Sequence, residues 1–187
     1  MEGHELTSET GESDLSELTK FSTTQILRDG RQVEIRAQRP EDGEGLKAAV
    51  ARMSSTALYR RFFAVRREFS DKEVSDFVDI DFVSQVALVV VATEGGAPKI
   101  VGAGRYIVLN ARQAEVAFAI LDDYQGQGIG SALMRRLSAI ARTAGLKELI
   151  AEVLAKNVSM LKVFQKCGLA MRTELEQGVI HVTLHLA

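Results

Sequence analysis

The seven residues Gln125, Gly126, Gln127, Gly128, Ile129, Gly130 and Ser131 have the makings of an anion site. Glycine at every second position strips side chains from the turn, so its backbone can approach a phosphate and aim successive N–H groups at it. A helix beginning there adds the positive end of its dipole. Ten residues upstream, Glu115 is the one acid in the apolar run AEVAFAI. It shares a strand face with Ala117 and Ala119, whose small side chains leave room beside it. A carboxylate so placed can accept a proton from a bound group, or it can be an ordinary solvated strand-end glutamate. A dinucleotide fingerprint, G-x-G-x-x-G, would need glycine where Ser131 stands, and it normally opens the first βαβ unit.

The elements around these residues follow from the hydrophobic period. Residues 24–27 and 32–37 flank Asp29-Gly30 and read as a hairpin. Residues 40–53 read as a helix with Pro40 near its start and Glu41, Asp42 and Glu44 in its first turn. Helices are also expected over 56–63 and over 71–78, the latter with Ser70 and Glu73 as a capping box. The continuous apolar run 85–93 reads as a strand covered on both faces, followed by strands over 100–109 and 114–120. After the glycine turn, Leu133, Leu137, Ile140, Ala141 and Ala144 form one helical stripe, and Gly145 stops the helix. With a strand at 149–153 this makes a β-loop-α-β unit whose strands should be parallel, joined by a right-handed crossover. A helix over 157–167 and a closing hairpin over 171–186 complete the reading.

The bulk numbers suit one α/β domain: 187 residues, 46% hydrophobic and 26% charged. Residues 1–20 carry six acids against one base and have little to bury, so they are expected to be a disordered tail ahead of a domain over 21–187. The net charge of −2 argues against a dedicated nucleic-acid binder, although the body beyond residue 20 is mildly basic. Cys167 is the only cysteine, which excludes an intrachain disulfide and a zinc-cysteine cluster; it reads as a small packing residue. The N-terminus lacks a secretory pattern, and the longest apolar run, 86–92, falls far below the ~20 residues that a membrane span needs. A cytoplasmic protein without membrane or nucleic-acid partners is expected; the oligomeric state stays open.

QGQGIGSAL after a strand, with N-x-x-M-L-x-x-F-x-K-C-G-L some thirty residues later, resembles the GNAT N-acetyltransferases. The likeness runs over about residues 33–186. Arg36, the segment SSTALYRRFF, AEVAFAI and NVSM further resemble the bacterial Pat-type protein lysine acetyltransferases. The resemblance implies a mixed central sheet flanked by helices, with the β-loop-α-β unit binding acyl-CoA. It implies acetyl-CoA as co-substrate, with no metal. Pyrophosphate contacts would fall at Gln125, Gly126, Gln127, Gly128, Ile129, Gly130 and Ser131. Pantetheine contacts would fall at Ala119, Ile120 and Leu121, at the end of the family's fourth strand, with N–H groups near Leu121 polarising the thioester carbonyl.

Pat-type enzymes place a catalytic glutamate at the position of Glu115. A free lysine, with a pKa of about 10.4, must lose a proton before it can attack a thioester. The resemblance therefore implies Glu115 as general base in a direct transfer to a protein lysine, with an AMP-forming acyl-CoA synthetase as the type of partner. One departure stands out. Many GNAT enzymes carry a general-acid tyrosine where this chain has Phe164, which has no proton to give and reads as packing against the coenzyme arm. Asn157 either hydrogen-bonds the pantetheine or caps its helix. Tyr59, Arg60, Arg61 and Phe62 fall where the family builds its acceptor cleft, and Glu174 and Glu176 precede the closing turn. Two alternatives remain: a small-molecule amine N-acetyltransferase, and a CoA-binding sensor without turnover.

Overall fold

The computed structural model describes residues 16–186, which form a mixed eight-stranded sheet with helices on both faces. Residues 1–15 of the expected tail lie outside the described residues; residues 16–19 form a helical turn, and Leu18 packs against the main core. β1 (Ser22–Ile26) and β2 (Gln32–Ala37) make the N-terminal antiparallel hairpin. Its loop closes with Gly30 N–H donating to the Leu27 carbonyl at 3.0 Å and Leu27 N–H donating to Arg31 at 2.8 Å. Gly30 takes the left-handed position of this three-residue loop, with φ 88°.

The helix expected over 40–53 is a 3₁₀ turn, Pro40–Asp42, running into α1 (Gly43–Arg52). α2 (Ser55–Phe62) begins where the Ser54 hydroxyl accepts from Ala57 N–H. α3 (Asp71–Val78) begins at the reciprocal Ser70–Glu73 capping box that the spacing predicts.

β3 (Gln85–Glu94), β4 (Ala97–Asn110) and β5 (Gln113–Ile120) follow as an antiparallel meander. Residues 86–90 are buried without interruption, as a strand covered on both faces requires. Val89 clusters with Leu46 of α1 and Ile100, while Val86, Leu88 and Val90 belong to the larger core. α4 (Ile129–Thr143) then crosses to β6 (Glu148–Leu154), which lies parallel to β5. The buried side of α4 is wider than the expected stripe: it adds Ile129, Ala132 and Met134. Ala144 falls outside it, beyond the helix end and exposed.

α5 (Val158–Gln165) precedes β7 (Ala170–Glu176) and β8 (Val179–His185). The sheet order is β1-β2-β3-β4-β5-β6-β8-β7, so the more apolar strand of the last hairpin takes the inner place. The β7–β8 turn has Gln177 and Gly178 both at positive φ, 49° and 84°, as a two-residue hairpin turn requires. The glycine turn follows the fifth strand in chain order rather than the fourth, because the N-terminal hairpin contributes two strands ahead of β3. Half-buried Cys167 gives its thiol hydrogen to the Phe164 carbonyl at 2.9 Å.

One ion pair ties β2 to the start of α1. Arg36 grips Asp42 with two hydrogen bonds of 2.8 and 2.7 Å, and Asp42 also accepts Arg39 N–H at 2.7 Å. Both side chains are almost wholly shielded from solvent. Burial pushes the Asp42 carboxyl up, but Arg36 and the Arg39 N–H outweigh it and hold the group below its ordinary range. Removing one partner of such a pair strands the other as a buried charge, so Asp42→Ala should cost about 3 kcal/mol in urea unfolding. The sign with pH follows from the lowered value. This stabilisation is present above the ordinary carboxylate pKa and is lost as pH falls through the folded one. Asp42→Ala should therefore lose less stability than the wild type on acidification from pH 5 to pH 2.

Candidate active site: a fork between two parallel strands

β5 and β6 pair over three positions only: Gln113 with Glu148, Ala114 with Leu149 and Glu115 with Ile150. Beyond Glu115 they part, although β5 continues to Ile120 and β6 to Leu154. Phe164 of α5, fully buried, meets Phe118 of β5 with ring centroids 6.1 Å apart and fills one face of the fork. Leu121 N–H donates to Val101 of β4 at 2.9 Å. By the alternation of a strand, the backbone groups of Ala119 and Ala117 face β4 as well, and those of Ile120 and Phe118 face the open fork. A strand edge left open beside a cleft is a template for an extended ligand that carries amide groups.

The cleft encloses about 810 Å³, within the usual size of a small-molecule site. The glycine turn closes one end. Gly126 and Gly128 have φ of 73° and 96°, and a Cβ built on either would meet nothing within 4 Å. Both the backbone conformation and the open space thus belong to glycine. Gly130 differs: its Cβ would come within 3.2 Å of Val163, so its task is the close approach of α5 to α4. The first helical bond of α4 runs from Ala132 N–H to the Gly128 carbonyl at 3.1 Å, and the N–H groups of Ile129, Gly130 and Ser131 are left for a ligand.

The turn is held from several sides. Gln125 Nε2 donates to the Ile120 carbonyl at 3.0 Å. Arg28 Nη1 donates to the Gly126 carbonyl at 3.0 Å, and Asp29 N–H donates to Gln127 Oε1 at 3.2 Å. Asp122 accepts both the backbone N–H and the hydroxyl of Ser54, which joins the turn to the start of α2. Arg28 enters the site from a loop nearly a hundred residues away, and no local sequence signal marks it.

Of the residues expected at the donor site, Ala119, Ile120, Gln125, Gly126, Gly128, Ile129, Gly130, Ser131, Asn157 and Phe164 come together on the cleft. Two do not. The Gln127 side chain is turned to the hairpin. Leu121 is buried and its own N–H is engaged by Val101, and of the N–H groups near it those of Ile120 and Phe118 face the fork. Asn157 lies on the cleft and also caps α5, its Oδ1 accepting Met160 N–H at 3.4 Å. Lys162 and Lys166, four residues apart on and just beyond α5, reach the cleft as well. Their spacing was a readable signal for a basic face.

Glu115 stands at the last paired position, exposed and on the cleft wall. Arg60, Arg61 and Phe62 share the cleft with it, whereas Tyr59 is exposed and does not line it. Burial and the charge of Arg105 push the Arg61 guanidinium down to about 10, while Glu115 pulls it the other way. Glu174 and Glu176 lie on the edge strand β7, away from the cleft lining. His181 lies 3.5 Å from Glu152 and 3.8 Å from Glu176, and His185 lies 3.4 Å from Glu148. No group of three metal-binding side chains occurs among the described residues. No described helix is long and apolar enough to cross a membrane.

A mixed sheet, split at one parallel pair and closed by a glycine turn at a helix start, defines an α/β domain with a cleft suited to an anionic ligand. This chain belongs to the GNAT acetyltransferase family, whose sequence profile matches residues 51–169. It is 36% identical over 135 residues to an acetyltransferase of Pseudomonas aeruginosa, covering 72% of this chain and 73% of that one. It is 34% identical over 157 residues to the acetyltransferase Pat of Mycolicibacterium smegmatis, covering 82% of this chain but 46% of that protein. The chain thus corresponds to about half of that relative. The crystal structure of the GNAT domain of S. lividans PAT superposes with a TM-score of 0.77 at 34% identity, covering 88% of this chain and 96% of that one. The protein is accordingly an acetyltransferase of this family, related to the Pat enzymes.

Proposed function

We propose that the chain transfers acetyl from acetyl-CoA to a lysine side chain of a protein, an AMP-forming acyl-CoA synthetase being the preferred type, with Glu115 as general base. The observation that carries this reading is the position of Glu115 at the point where β5 and β6 part. The residues fit the co-substrate. The free N–H groups at the glycine turn suit a pyrophosphate, and the open edge of β5 suits the two amides of a pantetheine arm. Acetyl-CoA would supply a thioester acyl group there. The chain's own residues do the rest: N–H groups of Phe118 and Ile120 face the fork and can polarise an acyl oxygen. Glu115 takes the proton of the incoming amine, and the neighbouring Arg61 cation disfavours the ammonium form near it.

Arg28, Lys162 and Lys166 add positive charge along the cleft and suit the phosphates. Phe164 holds Phe118 and supplies no proton. A thiol of pKa about 8.5 leaves tolerably as the anion, so Phe164→Tyr should keep kcat within about twofold of wild type in a steady-state assay at pH 8. A larger rise would mean that protonation of the thiolate limits turnover. The acceptor class is tested by competition. With acetyl-CoA limiting, a synthetase should be acetylated in the presence of excess spermidine or aminoglycoside. Acetylation of the small amines alone would replace this reading with the small-molecule one.

A further inference from the structure

Beside the fork, under α1, α2 and α3, lies a second cavity of about 120 Å³. It meets the cleft at Met53, Arg61, Phe62, Ala117, Ala119 and Ile120, which line both. Its walls are mainly apolar, yet the only two buried side-chain polar atoms without a partner among the described residues, Arg105 Nε and Gln38 Oε1, belong to residues lining it. Arg105 is nine-tenths buried, pairs across the sheet with Ala117, donates to Gln85 and lies 4.5 Å over the Phe77 ring. No carboxylate forms an ion pair with Arg105 or with neighbouring Arg61 among the described residues. The other charged groups on the wall are taken: Glu73 by Arg66 at 2.7 Å, and Lys47 by Glu44 and Asp71. A buried guanidinium without a counter-charge is an expensive arrangement that a bound anion would relieve.

We propose that this cavity is an acyl subsite for the distal carboxylate of a four-carbon dicarboxylic acyl thioester, so that the chain accepts succinyl-CoA as well as acetyl-CoA. This rests on the placing of the thioester in the fork. A cavity of 150 Å³ holds a benzene ring, so this one has room for about the four heavy atoms by which succinyl exceeds acetyl. The methylenes lie against apolar walls, and the carboxylate meets Arg105 Nε–H and Arg61. Gln38 Oε1 takes a water hydrogen-bonded to the same carboxylate. The transfer balances as it does for acetyl. The amine nitrogen forms a bond to the thioester carbon as the carbon–sulfur bond breaks. The amine proton passes to Glu115, the thiolate leaves, and the distal carboxylate is unchanged.

Binding tests this apart from turnover. Non-transferable CoA thioethers of the form CoA–S–CH₂–CO–R, with R methyl, 2-carboxyethyl or its uncharged isostere 3-methylbutyl, are titrated into the full chain by calorimetry. The carboxyethyl compound should bind at least about tenfold more tightly than the 3-methylbutyl one, the scale of a hydrogen bond to a charged group. Arg105→Met should abolish that preference while the methyl compound binds as before. Ala103→Leu, which fills the cavity from β4 and leaves Arg105 in the chain, should weaken the carboxyethyl compound selectively and serves if Arg105→Met does not fold. Equal affinity of the charged and uncharged isosteres, or a preference that survives Arg105→Met, overturns the subsite while leaving the fork intact. Failure of the methyl compound to bind overturns the fork reading and the subsite with it.

Discussion

Glu115→Gln should lower kcat for a lysine acceptor by roughly 10²- to 10⁴-fold, the usual weight of a positioned general base. The affinity for acetyl-CoA should stay where it was. Glutamine keeps the shape of the side chain and removes its charge and its capacity to take a proton. The carboxylate is exposed and makes no hydrogen bond or ion pair to another described residue, so the fold should tolerate the change. The defect should shrink as pH rises toward the lysine pKa of about 10.4, because an amine that is already neutral needs no base. Steady-state kinetics from pH 7 to pH 10, with calorimetry of acetyl-CoA, read both parts. An unchanged kcat at neutral pH would remove Glu115 from the chemistry.

Gly128→Val should weaken acetyl-CoA binding by at least about tenfold, through strain and occlusion together. Gly128 is the residue before α4, with φ 96° and ψ −2°, a conformation that a β-branched residue adopts only under strain. Its Cβ would project into open cleft, where nothing now lies within 4 Å. Gly130→Ala makes the contrast. That methyl meets Val163 at 3.2 Å inside a regular helix, so it should touch the α4–α5 contact and leave the acetyl-CoA Kd within about threefold. If both substitutions weakened binding alike, the division of labour between the glycines would be wrong.

Much of the fold is legible because each element carries its own signal. The Ser70–Glu73 box, the apolar run in β3 and the Gln177-Gly178 turn act over a few residues, and each forms as its chemistry predicts. The β-loop-α-β unit follows from strand, glycine turn and amphipathic helix in succession. The fork itself is different. Whether two parallel strands stay paired after three residues depends on what packs against them, here Phe164 against Phe118, and these residues lie 46 positions apart. Long separation also hides Arg28, 98 positions from Gly126 on the glycine turn, and Arg61, which shares the cleft with Ala117. The sequence carries no sign of which N–H groups near Leu121 face the fork; the ladder from Leu121 to Val101 decides it. Nor does the sequence show that the Gln127 side chain turns away from the cleft to accept the Asp29 N–H.

The most direct measurement is mass spectrometry of an AMP-forming acyl-CoA synthetase after incubation with acetyl-CoA and the wild-type chain, beside Glu115→Gln. An acetyl group is expected on a lysine of the synthetase with the wild type, and none at that site over the same interval with the variant. Equal acetylation by both proteins, or a synthetase left unmodified while free amines are acetylated, would contradict that expectation.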